Sequence, residues 1–176
     1  MDLKNLFRNA ILNLKIWFLG TFPKAAGLFY RYFWSPKNLI EETINTRSQR
    51  IRPFRFLQNG ANDGIVNDPI MKFIFRDGWS GIRVEPLSSP FEKLARLHAS
   101  SPNVKLVQGI VANQEGTMPL YHLSFSDKRW ATGLASLNRE SLEKQITSGH
   151  VEKRAKKFGD VRPNKLEDWI TSTELM

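Results

Sequence analysis

From residue 3 to 14, apolar side chains recur at helical spacing: Leu3, Leu6, Phe7, Ala10, Ile11 and Leu14 fall on one side of a helical wheel. Lys4, Arg8, Asn5, Asn9 and Asn13 fall elsewhere on it, so the pattern predicts an amphipathic helix. It runs on into "IWFLGTFPKAAGLFYRYFW", where aromatic and basic residues are mixed. After about Phe54 the pattern changes to short apolar runs separated by helical ones. "PFRFLQ" predicts a strand ending at Asn59-Gly60, and "SGIRVEP", "NVKLVQGIVA" and "TMPLYHL" predict three more. Between the first two, Asp68 is placed to cap a helix with Pro69 at its first position. Ile70, Phe73 and Ile74 form its buried face, and Asp77-Gly78 ends it. Ser89-Pro90-Phe91-Glu92 predicts a capping box opening a helix through about Ala99. Asn113 to Gly116 reads as a turn, residues 138–158 as one polar, basic helix, and Asn164 with Glu167 as the start of a short one. Strand, helix, strand, helix, strand is the rhythm of a parallel sheet, so an α/β fold is expected. Residues 1–50 form a basic, aromatic-rich helical segment and 51–176 the start of a ligand-binding domain.

Composition narrows this further. A chain of 176 residues, 41% hydrophobic and 24% charged, is about one globular domain. It has no cysteine, which removes disulfides and thiolate chemistry and fits a reducing, cytoplasmic setting. His98, His122 and His150 are too scattered for zinc. The net charge of +9 is concentrated at the start: residues 1–55 carry ten basic and three acidic side chains. Lys15 and Lys24 leave only eight residues between them, too few for a spanning helix. The segment suits an interfacial helix, with Trp17, Tyr30 and Trp34 near headgroups, or a helix packed on the domain's own core. Residues 1–35 are therefore a candidate membrane-surface contact of a peripheral protein. No RNA-binding motif with interleaved aromatics argues for nucleic acid.

Candidate chemistry gathers at the strand ends, where open α/β sheets bind ligands. "GANDG", residues 60–64, follows the first strand. It is either an ordinary strand-to-helix turn or a loop whose backbone amides hold an anionic group. Glu85 ends the second strand, 21 residues beyond Gly64, where an acid can accept hydrogen bonds from a ribose. The loop is neither GxGxxG nor GxxxxGK[ST], which leaves S-adenosylmethionine as the ribose-containing cofactor it suits.

"FLQNGANDGIVNDPIMKFI", "GWSGIRVEPL" with "FEKL" behind it, "PNVKLVQGIVANQEGTMPLY" and "WATGLASLNRESL" resemble FkbM-type SAM-dependent methyltransferases, in order, from about Phe54 to Trp169. The resemblance implies a Rossmann-like methyltransferase fold, O-methylation of a sugar or natural-product hydroxyl, and cofactor binding by Gly60, Ala61, Asn62, Asp63, Gly64 and Glu85. An alcohol acceptor needs a base to take its proton, and none stands out: His98 reads as a surface residue of a helix, His122 lies in a strand-like segment, and His150 stands beside a basic helix. Trp130 reads as exposed and, with the small-residue run Ala131 to Ser136, belongs to a loop that in the family follows the strand-four hairpin; it is either a wall of the acceptor pocket or a packed loop. Two departures stand out. Asn59 replaces an aliphatic residue in a strand expected to be buried. The family also continues past a "LEDW"-like segment into further strands, so a chain ending at Met176 is expected to be truncated. Its sheet would be incomplete, with an open edge available for self-association. A basic membrane-associated module without catalysis is the competing expectation.

Overall fold

A computed structural model describes residues 3–113, 115–160 and 163–175. Three helices come first: α1 (Leu3–Thr21), α2 (Pro23–Phe33) and α3 (Leu39–Arg50). Then β1 (Arg55–Asn59), α4 (Met71–Asp77), β2 (Ser80–Val84), α5 (Ser88–Leu97) and β3 (Val104–Val107) alternate. The three strands form a parallel sheet in the order β1-β2-β3, with Leu57 opposite Ile82 and Arg83 opposite Leu106. The chain is thus an α/β fold with a small parallel sheet and flanking helices.

One face of that sheet is covered along its length, whereas on the other only Val84 is buried. Phe56, Val104 and Leu106 point to the α4 side, where Phe73, Ile74 and Trp79 join them in one cluster. On the opposite face Leu57 is 64% exposed, and Ile82 and Val107 are also exposed. Parallel sheets are ordinarily buried on both faces. Asn59 shares this open side and is itself exposed, so the desolvation cost expected for an amide at that position does not arise.

The N-terminal helices form an outer layer, α1 on α5 and α2 on α4. Each approaches through a glycine. A Cβ on Gly20 would lie 2.2 Å from the Arg96 carbonyl oxygen, and one on Gly27 would lie 2.5 Å from that of Phe75. Ile16 and Leu19 of α1 and Ala26 and Tyr30 of α2 join Ala61, Ile65, Leu94 and Leu97 in the main core. The predicted apolar face of α1 is not the one that packs: Leu3, Phe7, Ile11 and Leu14 are exposed.

The remainder forms a second layer of structure. β4 (Met118–Leu123) pairs antiparallel with β5 (Ile170–Leu175), apart from the parallel sheet. α6 (Arg129–Thr132), α7 (Arg139–Thr147), α8 (His150–Phe158) and a 3₁₀ turn (Leu166–Trp169) lie between these strands in the chain. The single helix expected over 138–158 is divided at Gly149, whose φ of 71° interrupts it. The third strand stops at Val107 instead of running to Ala112. The turn expected at Asn113–Gly116 includes Gln114, which lies outside the described residues. The capping box expected at Ser89 is not formed: α5 begins at Ser88 and has no side-chain cap. Trp130, expected to be exposed, is buried in the second core. It stacks on Phe158, and its Nε1 donates to Asp160 at 2.8 Å.

Candidate functional site

The loop after β1 turns sharply because Gly60, Asn62 and Gly64 all adopt positive φ, 68°, 50° and 72°. Gly60 is open to solvent, and a Cβ there would meet nothing within 4 Å, so it serves the turn alone. Gly64 serves packing as well. A Cβ on it would sit 2.6 Å from Leu94 Cδ1, 2.8 Å from Arg83 Nη1 and 2.9 Å from Leu97 Cδ2. Ala61, Asn62 and Asp63 are buried.

Glu85 and the loop do come together. Asn62 N donates to Glu85 Oε2 at 2.7 Å, and Leu87 N donates to Oε1 at 3.1 Å. Burial pushes the Glu85 carboxyl above its ordinary value, against the pull of these two amides. The amides from Ala61 to Val66 other than that of Asn62 are taken up internally. Ala61 N donates to Val84 O and Gly64 N to Ala61 O. Asp63 N donates to Asn62 Oδ1, while Ile65 N and Val66 N donate to Asp63 Oδ1. The expectation of free amides aimed at an anion therefore does not match this arrangement: an Asx-type turn built on Asp63 uses them.

Behind the loop lies a buried polar cluster. Arg83, fully buried on β2, forms an ion pair with Asp68 and donates to Gln58 Oε1 at 2.8 Å. Burial draws the Arg83 guanidinium down, and Asp68 opposes that shift. α4 begins at Met71 with Ile70 at its N-cap position, so Pro69 is not its first residue as expected; Asp68 still braces the helix entrance, its Oδ1 accepting from Ile70 N and Met71 N at 3.0 and 2.6 Å. His98, expected at the surface, is 5% exposed and stacks on Phe75. Its Nε2 lies 2.8 Å from Arg83 Nη1, and an arginine can only donate, so the imidazole is neutral with its proton on Nδ1. Burial and the Arg83 charge push His98 down to about 3.

On the other side of the loop, α6 closes down from the second layer. Asn62 Nδ2 donates to Thr132 Oγ1 at 3.0 Å, and Arg129 Nη1 lies 3.3 Å from Asp63 Oδ1. Between α1, the loop and α6 is a cavity of about 450 Å³. Its walls include Asn13, Asn62, Asp63, Lys93, Arg129 and Asp160. Carboxylates and cations thus face one space, and a ligand carrying both charges finds partners for each. The volume falls within the roughly 300–1,000 Å³ usual for small-molecule sites. Glu85 does not line it; its carboxylate lies behind Asn62.

A smaller hollow of about 220 Å³ adjoins this cavity, sharing Pro90 and Thr132, and is lined also by His122 and Thr173. His122 Nε2 lies 3.0 Å from Thr173 Oγ1. His150 begins α8 and lines neither hollow. Among the described residues no group of three His, Asp or Glu could hold a metal ion. Thr132 belongs to the run 131–136 that the sequence offered as a pocket wall, whereas Lys93, Arg129 and Asp160 were not legible as site residues. Arg129 and Asp63 are separated by 66 residues, and no local motif announces a meeting at that distance. Compared with known proteins, the chain matches no family model, no curated protein and no solved structure.

Proposed function

We propose that this chain is an FkbM-like SAM-dependent methyltransferase with a Rossmann-like fold, acting on a hydroxyl of a small molecule or glycan. The observation that carries the reading is the meeting of Glu85, at the end of β2, with Asn62, in the glycine loop at the end of β1, beside a cavity of mixed charge. Ligands of open α/β sheets bind beyond these strand ends. The motif order in the sequence supports the same reading.

Bound SAM supplies an electrophilic methyl group; the chain's part is to hold and orient. Lys93 and Arg129 suit the carboxylate of its amino-acid end, and Asp63 and Asp160 suit the ammonium. Each Glu85 oxygen keeps a second lone pair besides the one used by a backbone amide, and can accept from a ribose hydroxyl. That contact requires the loop to shift, because the carboxylate is buried. No base for the acceptor hydroxyl stands out among the described residues. His122, in the adjoining hollow, is already engaged with Thr173.

Calorimetric titration with SAM and S-adenosylhomocysteine tests the proposal. Binding is expected, weakened in Arg129→Ala and in Glu85→Gln. Absence of heat at millimolar ligand, with the protein folded by circular dichroism, would overturn it.

A further inference from the structure

Helix α1 has two apolar faces, and the fold uses only the narrower. At about 100° per residue, Leu12, Ile16 and Leu19 cluster on one side. Ile16 and Leu19 are buried and Leu12 packs against them. Leu3, Leu6, Phe7, Ile11, Leu14, Trp17 and Phe18 occupy an arc of about 140° on the opposite side, and every one is exposed. Phe7 is 68% and Leu14 64% exposed. Arg8 and Lys15 run along one border of this arc, and Asn9 and Asn13 along the other. Helix α2 repeats the design. Leu28, Phe29, Tyr32 and Phe33 are exposed, on an arc that borders the buried Ala26, Gly27 and Tyr30. Phe22 joins the two helices, with the rings of Trp17 and Phe18 each 5.9 Å away.

We propose that these outer faces of α1 and α2 dock on the surface of an anionic phospholipid bilayer. Three observations select that occupant. Isolated exposed apolar residues are ordinary, but a continuous aromatic-rich face is not. Across residues 3–33 there are five basic side chains and no acidic one, which complements lipid phosphates. A second copy of the chain meeting this face would set basic rows against each other with no carboxylate between them. The mode is interfacial, since no helix among the described residues is long and apolar enough to cross a membrane. The inference stands independently of what the cavity binds.

The test is flotation of the full chain with phosphatidylcholine vesicles, with and without phosphatidylserine, at low and high salt. Binding is expected only with phosphatidylserine, and it should fall as salt rises. Ile11→Glu with Leu14→Glu should abolish it. Arg8→Gln and Lys24→Gln, both at exposed positions, should each weaken it about fivefold. Circular dichroism and thermal unfolding report whether the variants remain folded. Equal flotation of wild type and the double variant would overturn the proposal, as would failure to float with either vesicle. Self-association in sedimentation velocity that the double variant removes would assign the face to a second copy instead. Preference for an oligoribonucleotide over vesicles in direct competition would also overturn it.

Discussion

The Glu85 carboxylate accepts the Asn62 main-chain amide at 2.7 Å, fastening the end of β2 to the loop that follows β1. With Leu87 N on its other oxygen, it satisfies two buried donors at once. Glu85→Ala should therefore destabilise the chain with no ligand present, by about 1–3 kcal/mol for each amide left unpaired. Glu85→Gln keeps one acceptor oxygen and should lose less. Urea unfolding of the three proteins measures this, and an unshifted midpoint for Glu85→Ala would show that the tie is not structural.

His98 makes stability depend on pH. In the unfolded chain it titrates near 6.5, whereas in the fold it stays neutral down to about 3. Between those values the unfolded state holds a proton that the folded state lacks. Stability should thus fall as pH drops below about 6.5, by up to about 1.4 kcal/mol per pH unit. Glu85 acts in the opposite sense, because its raised value makes the fold lose stability as pH rises through it, above 4.5. Comparing wild type with His98→Gln, which keeps an acceptor for Arg83, isolates the histidine. Relative to wild type, the variant should lose less stability as pH drops from 6.5 to 4; an identical slope would refute the assignment.

Two glycines of one loop should respond differently to substitution. Gly60→Ala meets only the conformational penalty of a positive φ, about 1–2 kcal/mol, and Gly60→Asn should cost less, since asparagine tolerates that region. Gly64→Ala adds a collision with Leu94, Leu97 and Arg83, for about 1–3 kcal/mol more, and asparagine should not rescue it. Thermal unfolding of the four variants distinguishes the roles. Equal losses at both positions would contradict them.

Leu57 lies on the uncovered face of the sheet and is 64% exposed. Leu57→Lys should change stability by no more than about 0.5 kcal/mol. A loss of several kcal/mol in urea unfolding would mean that the face is covered in solution.

The central alternation was legible because its signals are local. Asp68 braces the entrance of α4 although the helix starts at Met71 and not at Pro69, Gly78 ends it in a left-handed turn, and the three strand-like runs pair in order. What could not be read depended on distant partners. Periodicity found the wide apolar face of α1 but could not show that Leu12, Ile16, Leu19 and Gly20 make the packing contacts. β5 was missed because "ITSTEL" holds two apolar residues in six, and its pairing with β4 spans about fifty residues. His98 looked like a surface residue at a helix end until Arg83 and Phe75 enclosed it. Within the site, Glu85 and Asn62 meet each other through a hydrogen bond, whereas the sequence pattern has both facing a ligand. The α6 wall fell within a run offered only as a pocket wall or a packed loop, and the wall contributed by α1 carried no sequence signature.

Helix α1 is also a wall of the cavity, through Asn9 and Asn13, while Ile16 and Leu19 belong to the same core as Ala61 and Leu94. Trimming the greasy leader to improve handling would thus breach the compartment and bare its foundations together. A shortened fragment that ignored every nucleoside offered to it would say nothing about the intact protein.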